Sequence, residues 1–196
     1  MTDMPKLRDE TYAARRTHIV ASARRCFARR GFHGASMQDI QEEAGVSAGA
    51  IYVYFASKGD IVDAVIDDSS ARLAATYESL LDEGLPLRDA IARLCEVADA
   101  NATGSATGLG FDIWAETVRD DGVARRLRRQ TRRMRVTLIR LVEDAIEAGD
   151  LPRGTNPRAV SAVLLGAIFG YYAQRIITGD VRPGPYADSV LAALRA

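Results

Sequence analysis

The sequence predicts an all-α protein. Three observations carry that expectation: apolar residues recur at three- and four-residue steps along nearly the whole chain, no stretch sustains the alternation of a half-buried strand, and the breaks fall at Gly, Pro and Asn. With 196 residues, 47% of them hydrophobic and 27% charged, the chain can build a sizeable core without disulfides or a structural metal.

A first helix is expected over residues 11–30, with Ile19, Ala23, Cys26 and Phe27 on one face and Gly31 as the C-terminal stop. Ser36 followed by Asp39 reads as a capping box with a shortened acid, opening a short helix that ends near Ala44-Gly45. Ser47 starts a third helix of about two turns, to residues 55–56. Ser57 with Asp60 opens a long fourth helix through Leu81. Further on, Gly84 and Pro86 punctuate the chain before a helix over residues 87–100. A Gly-, Ser- and Thr-rich connection follows, and then a helix through Trp114 and Val118. Val123, Leu127, Met134, Leu138, Leu141 and Ala145 trace one stripe of a long helix ending at Gly149. Asn156-Pro157 caps an apolar helix to about residue 178, and a last short helix covers residues 186–194. The near-continuous apolar run inside that penultimate helix, residues 159–173, falls short of the roughly 20 residues that a membrane span needs, so a buried helix and no membrane partner are expected.

Composition excludes several functions. Cys26 and Cys95 have no metal-ligand spacing to each other or to His18 and His33, so no disulfide, metal or cofactor is expected. The polar start carries Lys6 and Arg8 and no apolar run, which argues against a signal peptide and for a cytoplasmic protein. Glycines 104, 108 and 110 are followed by no Gly-Lys-Ser/Thr and preceded by no strand, so a flexible linker is expected there rather than a phosphate cradle. No nucleophile, base and orienting acid stand at usable spacings, so an enzyme is not expected.

Twenty-six Lys and Arg balance twenty-six Asp and Glu, so affinity for a polyanion has to rest on local charge. Residues 1–33 hold eight Lys or Arg against three Asp or Glu, a net of +5. Beyond this arm, the two short helices joined by Ala44-Gly45-Val46-Ser47 have the dimensions of a helix-turn-helix, with Gly45 supplying the left-handed turn and Ile40, Val46 and Ile51 holding the pair together. The second helix opens with Ser47, Ala48, Gly49 and Ala50, a tip narrow enough to approach base edges in a major groove. Tyr52, Tyr54 and Lys58 follow, with hydroxyls and an ammonium suited to phosphate oxygens. Packing is the alternative role for the two tyrosines, and a solvated helix face is the expected one for Arg24, Arg25, Arg29 and Arg30.

At these residues the chain resembles the N-terminal region of the TetR family of bacterial transcriptional regulators. The resemblance rests on Arg15-Arg16, Ile19, Ala23, Phe27 and Gly31-Phe32, and on the unbroken run from Ala44-Gly45-Val46-Ser47 through Tyr52, Tyr54 and Phe55 to Ser57-Lys58. It departs at Gln41, where the family usually has alanine. The resemblance implies a helix-turn-helix DNA-binding domain over residues 1–58 and a larger helical ligand-binding and dimerisation domain over residues 59–196. By position, Ser36, Tyr52, Tyr54 and Lys58 would touch phosphates, Ala48, Gly49 and Ala50 would face bases, and Tyr52 could reach either; Ser47, at the start of the same tip, is the remaining DNA-binding candidate. The implied function is a ligand-responsive repressor: a homodimer that binds a palindromic double-stranded DNA operator and is released by a small-molecule effector. A helical small-molecule carrier without DNA binding is the alternative.

In the second domain, Val160, Val163, Leu164, Ala167, Ile168 and Tyr171, joined by Leu191 and Leu194, form the expected dimer interface, with Gly166 and Gly170 allowing close approach. Phe111, Trp114, Met134, Phe169 and Tyr172 are the candidate ligand-binding residues, with Tyr77 and Cys95 behind them. Asp112 and Glu116 flank Trp114 and suit a cationic ligand, or else simply face solvent. Seven arginines crowd residues 125–135, where a face turned to solvent or to neighbouring acids is expected and a second polyanion-binding surface is the other reading.

Overall fold

In the computed structural model, residues 4–104 and 107–195 are described. Among them the secondary structure is entirely helical: α1 (Met4–Gly34), α2 (Met37–Ala44), α3 (Ala48–Tyr52), α4 (Lys58–Glu83), α5 (Leu87–Thr103), α6 (Leu109–Glu116), α7 (Asp121–Glu147), α8 (Pro157–Ile177) and α9 (Pro183–Arg195). Two compact units divide the chain. One is Met1–Ser69 with Gly108–Val123, and the other is Ser70–Thr107 with Ala124–Ala196, so α4 and α7 contribute to both.

In the first unit, Ile19, Ala23, Cys26 and Phe27 are fully buried on one face of α1. Burial raises the Cys26 thiol pKa, as for an inert core cysteine. Gly31 breaks the helix at φ 69, and one further turn continues to Gly34 beyond the expected stop. The Ser36–Asp39 capping box forms in full, and α2 ends on Gly45 in the left-handed conformation. α3 is five residues, shorter than two turns. Its end tightens because Val53 and Tyr54 donate to Ala50 and Ile51, three residues back, while Ile51 and Phe55 anchor it in the core. Ser57 and Asp60 bond reciprocally ahead of α4, at 3.0 and 3.2 Å.

The second unit is built on α5, which packs against α8 and α9. α8 is 21 residues long, so the helix exceeds the apolar run seen in the sequence and is long and apolar enough to cross a membrane. Its inward side chains Leu164, Leu165, Ile168, Tyr171 and Tyr172 are nevertheless committed to the core of this unit. α9 starts three residues earlier than expected because Pro183 and Pro185 fit a first turn, whose N–H groups have no intrahelical acceptor. The Asp99 carboxylate accepts from the Tyr171 hydroxyl at 2.9 Å and from Arg175, joining α5 to α8. Arg88 and Asp188 join α5 to α9 at 2.8 Å. Burial opposes ionisation of Asp99, but the bonds from Arg175 and Tyr171 outweigh it and hold the carboxyl below its ordinary range. Of the expected glycine-rich connection, Gly104, Gly108 and Gly110 are described, whereas residues 105 and 106 lie outside the described residues; Gly108 adopts a left-handed conformation ahead of α6.

Candidate nucleic-acid interface

The geometry of the reading tip begins with its caps. The Ser47 Oγ accepts from the Ala50 N–H at 3.3 Å, which fixes the start of α3 and satisfies one of its open donors. Ala48 and Gly49 are exposed, Ala50 is half-buried, and a Cβ placed on Gly49 would meet nothing within 4 Å. The start of α3 therefore presents small, exposed side chains with open space beside Gly49. Tyr52 turns outward at 55% exposure and Val53 at 66%, an apolar position that the sequence reading did not single out.

Other expected contacts hold the motif together. Tyr54 lies against Tyr12, with ring centroids 4.7 Å apart, and the Tyr12 hydroxyl points to the Val53 carbonyl at 3.5 Å. Tyr54 thus packs and is half-buried. Lys58 donates from Nζ to the Ala35 carbonyl at 2.9 Å and ties the start of α4 to the turn before α2. Ser36 donates its hydroxyl to Asp39 at 2.6 Å and its backbone N–H to the same oxygen at 2.8 Å, so both of its donors are used inside the cap. His18 Nε2 and the Ala44 carbonyl sit 3.0 Å apart, bracing the turn between α2 and α3 against α1. Nothing local in the sequence marks Tyr12 or His18 for these roles, because their partners lie 41 and 26 residues away.

The four arginines of α1 lie at the solvent-facing side of the helix, as expected, and also pair with acids. Arg25 bonds Glu43 at 2.8 Å, Arg29 reaches the other oxygen of Glu43, Arg30 meets Asp39 at 3.1 Å, and Arg24 approaches Asp68 at 4.0 Å. Glu43 is held below the ordinary carboxylate range by Arg25 and then Arg29. Asp39 is lowered by its hydrogen bonds from Ser36, with Arg30 adding to the effect. α1 is thereby clamped onto α2. Arg16 lies over the Phe55 ring at 4.9 Å, Arg15 is exposed, and the side chains of Lys6 and Arg8 lie outside the described residues.

The remaining candidates divide between the units. Phe111 and Trp114 belong to the first, their rings edge to face at 5.3 Å. On the same element, Glu116 meets His33 at 3.3 Å, and burial raises the Asp112 carboxyl pKa. Glu116 is therefore tied to the end of α1, and Asp112 is half-buried and not freely solvated. Met134, Phe169 and Tyr172 belong to the second unit, where Met134 and Tyr172 are buried and Phe169 half-buried. Cys95 is also in that core, its thiol pushed up to about 12 by burial, and the buried Tyr77 hydroxyl has no hydrogen-bond partner among the described residues. Of the expected interface residues, Leu164, Ile168, Tyr171 and Leu191 are buried inside the unit, Val160, Ala167 and Leu194 are half-buried, and Val163 is exposed. The first four are corrected from surface to core, since their side chains are consumed in packing α8 and α9 within one chain.

Residues 19–65 match the model of bacterial regulatory proteins of the tetR family, and residues 87–196 match that of the BetI-type transcriptional repressor C-terminal region. The chain belongs to the TetR family of transcriptional regulators. The HTH-type transcriptional repressor Rv1474c of Mycobacterium tuberculosis is 32% identical, across 82% of this chain and 95% of its own. The HTH-type transcriptional regulator UidR of Escherichia coli K12 is 27% identical, across 90% of this chain and 89% of its own. Among solved structures, Salmonella enterica GusR superposes with a TM-score of 0.71 at 25% identity, covering 92% of this chain and 93% of that one. The TetR-family regulator is thus a helix-turn-helix transcriptional repressor, and α3 lies within the residues matched by the tetR model.

Proposed function

We propose that this repressor works in the cytoplasm as a homodimer that seats α3 of each copy in successive major grooves of a palindromic operator and lets go when a small molecule binds. The observation that carries the reading is the open tip: Ala48 and Gly49 exposed, with no atom within 4 Å of the Cβ position of Gly49. Small side chains accept a thymine methyl and admit the helix deeply, but supply few hydrogen bonds, so groove shape carries much of the selectivity. Ser47, Ala48, Gly49 and Ala50 stand at the bases, and Tyr52 and Tyr54 reach phosphates. Ser36 and Lys58 act chiefly by holding the frame, because their donors already serve Asp39 and Ala35. A two-fold assembly places the two tips about 34–36 Å apart, one helical turn of DNA.

The effector is proposed to bind in the second unit, against Met134, Phe169 and Tyr172, with the Tyr77 hydroxyl, unpartnered among the described residues, as its polar anchor. To release DNA it must favour the non-binding form by about 1–3 kcal/mol, a 5–150-fold loss of operator affinity. The deciding experiment is a gel shift and footprint of the purified protein on DNA flanking its own coding region, at several salt concentrations. A protected near-palindrome with two half-sites supports the reading. Equal binding to every duplex, or none in dilute buffer, overturns it.

A further inference from the structure

The basic stretch of α7 is left unexplained by the reading tip. Six of its arginines, Arg125, Arg128, Arg129, Arg132, Arg133 and Arg135, are exposed, and none has a carboxylate partner among the described residues. At 3.6 residues per turn they fan over an arc of about 160°, opposite the buried stripe of Val123, Met134, Leu138 and Leu141. From Arg125 to Arg135 the face runs about 15 Å along the helix axis. No Asp or Glu interrupts residues 122–142.

Elsewhere in this chain several arginines are paired: Arg25, Arg30, Arg88, Arg175 and Arg195 each meet a carboxylate. On α7 the same residue type is instead set against itself, with Arg125/Arg129, Arg128/Arg132 and Arg129/Arg133 four residues apart, a spacing at which like charges destabilise a helix. The anions that would relieve this repulsion are not supplied by the described part of the molecule. An array of guanidinium groups along a straight helix face suits a linear polyanion, each fork taking phosphate oxygens.

We propose that the arginine face of α7 is a second DNA contact, gripping the phosphate backbone of duplex beside the operator without reading its sequence. The choice of duplex DNA as the polyanion rests on the DNA-binding function, since DNA is the polyanion that a repressor meets. Contacts of this kind raise affinity and its salt dependence together while leaving sequence preference to the tip.

The test uses the full-length protein and two duplexes, one trimmed to the operator footprint and one carrying the same operator with 20 base pairs of random sequence on each side. The triple variant Arg128→Gln, Arg132→Gln, Arg135→Gln is compared with the wild type and with the corresponding triple Lys variant. On the long duplex the Gln variant is expected to bind at least tenfold more weakly at physiological salt, with a slope of log K against log salt shallower by about 5 for a dimer that loses three arginines from each chain. On the trimmed duplex the two proteins agree within twofold, and the Lys variant keeps the long-duplex slope. Circular dichroism confirms that α7 is intact. Equal slopes for wild type and Gln variant on the long duplex overturn the inference. So does a change of oligomeric state in the Gln variant by sedimentation, which would make the arginines a protein contact. Should the wild type ignore the trimmed operator altogether, the reading tip fails instead, and an α7-dependent slope on random duplex still decides the present inference on its own.

Discussion

At the scale of single residues, openness and incompleteness are the two informative states. Gly49 is open: a side chain there costs the fold nothing, because no atom lies within 4 Å of its Cβ position. Gly49→Glu therefore keeps the folded structure, and helix propensity even favours the change. It places a carboxylate where phosphates and base edges must approach, so operator affinity is expected to fall at least 100-fold in a gel shift while the unfolding midpoint holds or rises. A lowered midpoint together with intact binding would place the reading surface elsewhere. Tyr77 is incomplete. Its hydroxyl is buried and unpaired among the described residues, burial pushes its pKa up, and in the free protein it costs desolvation without return. Tyr77→Phe is expected to leave the free protein as stable as before, or more stable by about 1 kcal/mol in urea unfolding, and to weaken the response to whichever compound releases operator DNA. A clear loss of stability would show instead that the hydroxyl is satisfied in solution, and would remove it as an effector anchor.

At the scale of elements, α1 and α2 are joined by charge as much as by packing. Asp39 and Glu43 both ionise below their ordinary range, the first through Ser36 and the second through Arg25 and Arg29. A carboxyl lowered in the folded state contributes its stability fully above its unfolded value, near pH 4–4.5, and loses it as the pH falls through the lowered folded value. The clamp therefore holds at neutral pH and releases in acid. Thermal unfolding between pH 7 and pH 3 is expected to show Glu43→Gln less stable than wild type at neutral pH, with the gap closing toward pH 3. Parallel curves would mean that the ion pairs contribute nothing. The clamp also shows where sequence reading stops. Element starts were legible because caps are local: Ser36 with Asp39, Ser57 with Asp60 and Asn156 with Pro157 announce themselves within three residues, and all three form. The start of α3 was legible for the same reason, with Ser47 capping the Ala50 N–H. Arg25 with Glu43, His18 with the Ala44 carbonyl and Tyr12 with Tyr54 were not, because each joins positions brought together by the fold of three helices. The inward turn of Leu164, Ile168 and Tyr171 was hidden differently: α8 is apolar on most sides, so periodicity alone does not say which side meets α5.

At the scale of the whole molecule, the outward side of α8 is the surface with the chemistry of a two-fold contact. Once Leu164, Ile168 and Tyr171 are assigned to the interior, α8 turns to solvent Ala159, Ala162, Val163, Gly166 and Ile177, small and aliphatic residues, together with the polar Arg158 and Gln174. Val163 is 56% exposed and Ile177 74%, and a Cβ on Gly166 would meet nothing within 4 Å, so another helix can approach closely along this side. A second copy is the natural occupant, because an isologous contact brings the same side from both chains and doubles the number of tips per particle. The double variant Val163→Arg, Gly166→Arg puts four like charges at such an axis while leaving the inward face of α8 untouched. Sedimentation velocity at micromolar concentration is expected to show wild-type dimers and variant monomers with the same helical content. Operator affinity should then drop at least 100-fold, since each chain binds one half-site alone, and sequence preference within the half-site should persist. A variant that stays dimeric and keeps its operator affinity would shift the contact to another face and leave the exposed side of α8 without a role in assembly.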